Sequence, residues 1–140
     1  MQIIDSQSGQ TIYAGFLSRF VAYIIDMLMI GIARSILALI FGFSLFHVSI
    51  GLIWFGSIFG LLYFIIMESS KYQATVGKLL MRIKVVNMQG GRITLSESII
   101  RNLSKILSAI FLLIGFLMVL LDDRKRALHD RIAGTFVIED

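Results

Sequence analysis

The chain has 140 residues, 57% of them hydrophobic, with a mean hydropathy of +0.87 and a formal net charge of +4. Soluble domains average about 45–50% apolar residues even with glycine counted, so this composition excludes an ordinary soluble globule and fits one small integral membrane domain. There is no cysteine, hence no disulfide framework and no thiolate metal site; the pI near 9.7 reads as a basic membrane face rather than nucleic-acid binding.

Residues 1–14 are polar and aperiodic, a lead-in or a short strand. No Lys or Arg occurs in the first 18 residues. The basic n-region of a signal peptide is therefore missing, and the first apolar segment is expected to be a retained anchor. That segment, residues 15–41, exceeds the ~20 residues that span a bilayer as a helix. It carries Arg19, Asp26 and Arg34. A mid-helix Asp opposes insertion by roughly 2.5–3.5 kcal/mol, so Asp26 should face a bundle interior, a water-filled cavity or a partner. Arg19 and Asp26 lie about 700° apart in helical phase, almost on one face, and roughly 10 Å apart along the axis. Arg34 is turned about 80° from Asp26.

The second apolar segment, residues 48–67, carries no charge. Gly56 and Gly60 form a GxxxG, a close-packing face in lipid and a candidate seam for a homo-oligomer. The loop 68–102 is basic and is expected in the cytoplasm, with anionic lipid headgroups as its partner. Within it Thr75 reads as an N-cap. Ile83–Val86, the turn Gln89-Gly90-Gly91 and Arg92–Thr94 read as strand, turn and strand. Thr94-Leu95-Ser96-Glu97 is a capping box, and Glu97 and Arg101 are spaced i,i+4 for an ion pair.

The third apolar segment spans about 103–121. Its uncharged run, Ile106–Leu121, measures about 24 Å as a helix, short for a hydrocarbon core of about 30 Å. It either crosses as one helix or enters and leaves on one face, breaking near Gly115. The second form keeps the basic loop and the tail 122–140 on the same side and is preferred. Residues 135–138 read as a strand able to pair with 83–86. The fold class expected is all-α integral membrane: two long transmembrane helices, a third short transmembrane or re-entrant segment, and a small cytoplasmic β element at about 83–94.

Arg19 and Asp26, the stretch Thr75-Val76-Gly77-Lys78 running on to Val85-Val86, the pair Arg101-Asn102, and Leu128-His129-Asp130 followed by Ala133-Gly134-Thr135 together resemble the RDD family of small membrane proteins. The resemblance covers residues 13–138 and makes Asp130 the family's second aspartate. It departs in the third segment, where Ser108 and an unbroken apolar run replace an acid and a proline. The resemblance implies transport of loosely defined ligands, with cation/proton antiport one suggestion and membrane-protein assembly another.

Asp26 is thus the candidate proton or cation site, with Arg19 tuning it and Asp130 assisting; His129, Arg34, Lys78 and Arg101 are supporting residues. The competing reading makes the same charges structural: an Arg19–Asp26 pair, or Asp26 meeting Lys78 or Arg101, with Asp130 docking the tail or pairing with Arg19. A buried pair costs about 3–5 kcal/mol to break, reason enough to keep both members. Two histidines and no cysteine make a metal set unexpected. Gly77-Lys78 lacks the rest of a P-loop, and no nucleophile–base motif occurs, so no enzyme and no cofactor are expected. The function expected is secondary transport, most concretely exchange of Na+ or K+ for protons; the alternative is a non-catalytic accessory or assembly subunit that binds other membrane proteins.

Overall fold

The computed structural model describes residues 12–41, 50–110 and 114–140. Helix α1 (Phe16–Ile40, 25 residues) is the one described helix long and apolar enough to cross a membrane. Its side chains are mostly exposed; only Ala22, Asp26 and Ala38 are buried. Helix α2 (Ile50–Ser69) runs antiparallel to it. Tyr23 stacks on Phe64 at 6.3 Å between centroids, Ile30 approaches Gly60, and Arg34 lies over Gly56. The GxxxG face is therefore occupied by α1 of the same chain.

A short helix, α3 (Val76–Leu80), follows with Thr75 as its N-cap. Strand β1 (Ile83–Asn87) comes next. Its partner is β2 (Thr135–Glu139), antiparallel, with Val85 opposite Val137 and Val86 opposite Phe136. Residues 92–94 form no strand, which corrects the expected strand–turn–strand. The turn after β1 is closed instead by Asn87, whose Oδ1 accepts from the backbone N–H of Gln89 and of Gly91. The N-terminal segment borders the sheet: Ala14 N–H donates to the Val137 carbonyl at 2.9 Å and Glu139 N–H to that of Ile12 at 2.9 Å. Ala14, Ala22, Ile83, Val85, Ile93 and Val137 form the small apolar core.

The capping box forms as expected: Thr94 N–H donates to Glu97 Oε2 at 2.7 Å and Glu97 N–H to Thr94 Oγ1 at 3.2 Å. It starts α4 (Leu95–Ile110). Glu97 is spent there and does not pair with Arg101. Helix α4 is amphipathic in the sense opposite to that of a soluble helix. Ser98, Arg101, Asn102 and Ser104 are buried, while Ile99, Ile100, Leu103, Ile106 and Leu107 are exposed.

Helix α5 (Ile114–Leu121) and helix α6 (Leu128–Ala133) complete the chain, giving six helices among the described residues instead of three apolar segments. Asp122, just after α5, accepts from Arg131 of α6 at 2.5 Å, and α6 packs on α4. The chain therefore returns to the face from which α4 set out, and the pairing of β1 with β2 places the basic loop and the tail together. Gly115, where the break was expected, falls inside α5. Gly134, at φ +66°, ends α6 in the left-handed conformation that glycine adopts at no steric cost.

Candidate functional site

The polar residues turned inward form two levels at one end of the helices. The deeper level centres on Asp26, 1% exposed. Its Oδ1 accepts from the Gly77 backbone N–H at 2.8 Å and the Tyr63 hydroxyl at 2.9 Å; its Oδ2 accepts from Thr75 Oγ1 at 2.5 Å. Tyr63 in turn accepts from Val76 N–H at 3.0 Å. A carboxylate on α1 thus completes the N-cap of α3, satisfying amide donors that a helix start leaves without partners. The approach requires a glycine, because a Cβ at position 77 would lie 2.1 Å from the Ala22 carbonyl oxygen. Asp26 meets neither Arg19 nor Lys78 nor Arg101, in contrast to the pairings expected from sequence. The physical reason is that the Thr-x-Gly start of α3 offers two neutral donors, and Tyr63 of α2 a third, at closer range.

The second level is ionic. Glu68, fully buried, accepts from Lys78 Nζ and, at 2.6 Å, 3.0 Å and 3.4 Å, from Arg101 Nη1, Asn102 Nδ2 and Lys105 Nζ. Arg101 bridges to Asp130, donating through Nε to Oδ1 at 2.9 Å. Asp130 Oδ2 accepts from Arg19 Nη1 and, at 3.1 Å, from the Ala127 N–H, capping α6. Arg19 also donates to the Lys125 carbonyl. Five helices, α1, α2, α3, α4 and α6, are fastened by these two carboxylates.

Burial alone would raise the pKa of Asp130, but the guanidinium groups of Arg19 and Arg101 hold it well below the usual carboxylate range. Burial pushes Lys78 down to about 8, helped by the Arg101 charge and opposed by Glu68. His129 is pushed down to about 3, chiefly by burial, and is neutral at physiological pH although its Nε2 lies 3.6 Å from Asp130 Oδ1.

Of the residues singled out from sequence, Arg19, Asp130, Lys78 and Arg101 meet in one network. Asp26 stands below it, His129 lies beside it, and Gly56 and Gly60 line the α1–α2 seam. Arg34 is far from it, folded over Gly56, where a Cβ would sit 2.7 Å from its Nε. Lys78, in the loop expected at lipid headgroups, points inward. Glu68 and Tyr63 were missed as site residues, and Asn102 entered only through the family resemblance. Glu68 had left a signal: it is an acid in the last turn of a charge-free helix, where the helix dipole disfavours negative charge, so it demands cations.

The RDD family model matches residues 13–134. Over 81 residues the chain is 40% identical to "Uncharacterized protein YxaI" of Bacillus subtilis, covering 58% of this chain and 53% of the relative. Over 66 residues it is 39% identical to "Uncharacterized protein RP437" of Rickettsia prowazekii, covering 46% of this chain and 36% of the relative. The chain spans about half the length of the first and about a third of the second. No solved structure matches.

Proposed function

The chain belongs to the RDD family, and on that premise we propose that it is a multi-pass membrane protein acting as a non-catalytic accessory or assembly subunit for other membrane proteins, with loop 68–102 and the tail in the cytoplasm. The observation that carries this reading is that its inward carboxylates are all engaged in holding the fold. Asp26 is spent on capping α3, and Glu68 and Asp130 are spent on fastening helices. The helix surface left to meet a partner protein is mostly apolar. Leu17, Leu28, Ile32 and Ile40 on α1 and the outer face of α4 are exposed, far more apolar surface than a soluble monomer normally leaves uncovered. The bilayer covers it, and a partner's helices would meet it there by close packing.

The competing reading is exchange of Na+ or K+ for protons at Asp26. It requires the carboxylate to give up the Gly77, Thr75 and Tyr63 donors each cycle, leaving the α3 start uncapped. Proteoliposomes decide between the two. Under an imposed pH gradient the purified protein is expected to pass no more Na+ or K+ than protein-free vesicles, and to be extracted from its native membrane with a stoichiometric membrane-protein partner. A pH-driven flux that disappears in an equally stable Asp26→Asn variant would overturn the accessory reading. Sidedness is checked by labelling single cysteines, which a cysteine-free chain makes clean. Gln89→Cys and Asp140→Cys should label from one side and Ser44→Cys from the other.

A further inference from the structure

The ionic level carries more positive than negative charge. Arg19, Lys78, Arg101 and Lys105 face only Glu68 and Asp130. The other described acids near it are engaged elsewhere: Asp26 by α3, Asp122 by Arg126 and Arg131, and Glu97 by its own capping box. Two ammonium groups, those of Lys78 and Lys105, share the single oxygen Oε1 of Glu68, because Oε2 is taken by Arg101 and Asn102. Burying charge without compensation is costly, so such a cluster gains from an added anion.

Among the described residues the cluster is most open at Lys105, ahead of Arg19 at 12% exposed. Lys105 keeps 23% of its side chain exposed, against 9% for Lys78 and 2% for Arg101. Among the described residues its ammonium donates to Asn102 Oδ1 at 2.7 Å and to Glu68 Oε1. An ammonium has three donors, so one N–H remains. Lys105 sits over the Phe64 ring at 4.7 Å, one turn deeper than Glu68. Its neighbours Leu103, Ile106 and Leu107 on α4 are exposed, so the opening gives onto apolar surface. With α2 spanning the bilayer, that level is where headgroup phosphates lie, and an anion arriving there carries acyl chains.

We propose that Lys105, backed by Lys78 and Arg101 at the seam of α2 and α4, binds the phosphate of an anionic phospholipid. The ammonium pair supplies the charge, the free N–H of Lys105 meets a phosphate oxygen, and the exposed Leu103, Ile106 and Leu107 of α4 lie along the acyl chains. A zwitterionic lipid offers the same phosphate, but its quaternary ammonium brings a further cation to a site already in excess.

The inference rests on the membrane placement proposed above, and the test separates the two. The full chain is extracted in a neutral detergent, and binding of phosphatidylglycerol, phosphatidylcholine and inorganic phosphate is followed by native mass spectrometry and thermal melting. Phosphatidylglycerol is expected to bind at least tenfold more tightly than phosphatidylcholine and to raise the melting temperature, whereas inorganic phosphate does neither. Lys105→Gln should weaken phosphatidylglycerol binding about fivefold to tenfold, the scale of one base near an anionic surface. Lys105→Arg and the exposed control Lys71→Gln should retain it. Equal binding of the two lipids, an equal effect of inorganic phosphate, or Lys105→Gln binding like Lys71→Gln would overturn the site. Should Lys105→Gln fail to fold, the lipid comparison on the parent and on Lys105→Arg decides. Recovery of the protein from the soluble fraction without detergent would defeat the membrane placement itself.

Discussion

Adding one methyl group at Gly77 tests how tightly α3 is seated on α1. The new Cβ would meet the Ala22 carbonyl oxygen at 2.1 Å and Asp26 Cγ at 2.9 Å. The first obstacle is helix backbone, which cannot swing aside as a side-chain end can. To reach ordinary contact, α3 must retreat by more than an ångström. The Gly77 N–H bond to Asp26, 2.8 Å long, then stretches to about 4 Å, beyond hydrogen-bond range. A lost bond to a charged acceptor costs about 1.5–3 kcal/mol, and overpacking typically about 1–3 kcal/mol. The helix preference for alanine over glycine returns at most about 1 kcal/mol. Gly77→Ala should therefore lose about 2–5 kcal/mol. The control is Gly31→Ala in α1, where nothing lies within 4 Å of the added atom and only the propensity gain applies. The assay is unfolding of both variants in mixed micelles, with the melting temperature read in parallel. If Gly77→Ala unfolds at the same point as Gly31→Ala, the Asp26 cap is not what seats α3.

Removing the Glu68 charge with Glu68→Gln strands Lys78, Arg101 and Lys105 in a buried site; a loss of about 3–5 kcal/mol is expected in micellar unfolding, smaller when Lys105→Gln is added, since the two changes couple. Asp130→Asn releases Arg19 and Arg101 from the tail, so trypsin should cut at Arg124, Lys125 and Arg126 several-fold faster than in the parent, while cleavage at Lys71 stays the same. Acid should destabilise the protein in a defined window. Unfolded His129 takes up its proton near pH 6.5, whereas the folded side chain stays neutral down to about 3. Unfolded Asp130 protonates near pH 3.8, whereas the folded carboxylate stays ionised well below that. In both cases the unfolded state binds more protons, so the contribution of these two groups is complete above pH 6.5 and falls as pH drops toward 3, by up to about 1.4 kcal/mol per unit for each group. Melting temperatures from pH 8 to pH 4 check this, and His129→Gln should flatten the part between pH 6.5 and pH 4.

Much of the fold could be read from residue pattern. The α1 and α2 segments follow from apolar length, the start of α4 from Thr94 and Glu97, and the pairing of residues 83–86 with 135–138 from two short β-rich runs. The link from Asp130 to Arg19 also followed, because each needed an opposite charge at a membrane boundary. Other features depend on tertiary distances that spacing along the chain does not encode. Arg92–Thr94 had strand-like residues, but β2 took the one free edge of β1. Asp26 had an arginine two turns away in its own helix, and still the compact donors of α3 reached it first. Lys78 looked like a headgroup contact because basic and apolar residues interleave after Thr75. On α4 it is the polar face that turns inward, and composition alone does not say which face meets protein and which meets lipid.

Arg19 and Asp130 are separated by 111 residues, and that separation fixes an order of events. At a translation rate of about 5–20 residues per second, α1 is threaded into the membrane roughly 6–22 s before its carboxylate partner has been made. During that interval Arg19, and Arg101 after it, must be held by water, by lipid phosphates or by the insertion machinery. The clasp closes only once α6 has emerged and folded back across the ends of helices already in place. The bundle is therefore completed only after α6 has left the ribosome. A ribosome stalled anywhere between α4 and α6 would leave a correctly inserted but unlatched intermediate, recognisable to quality control by the same guanidinium groups that the finished protein conceals.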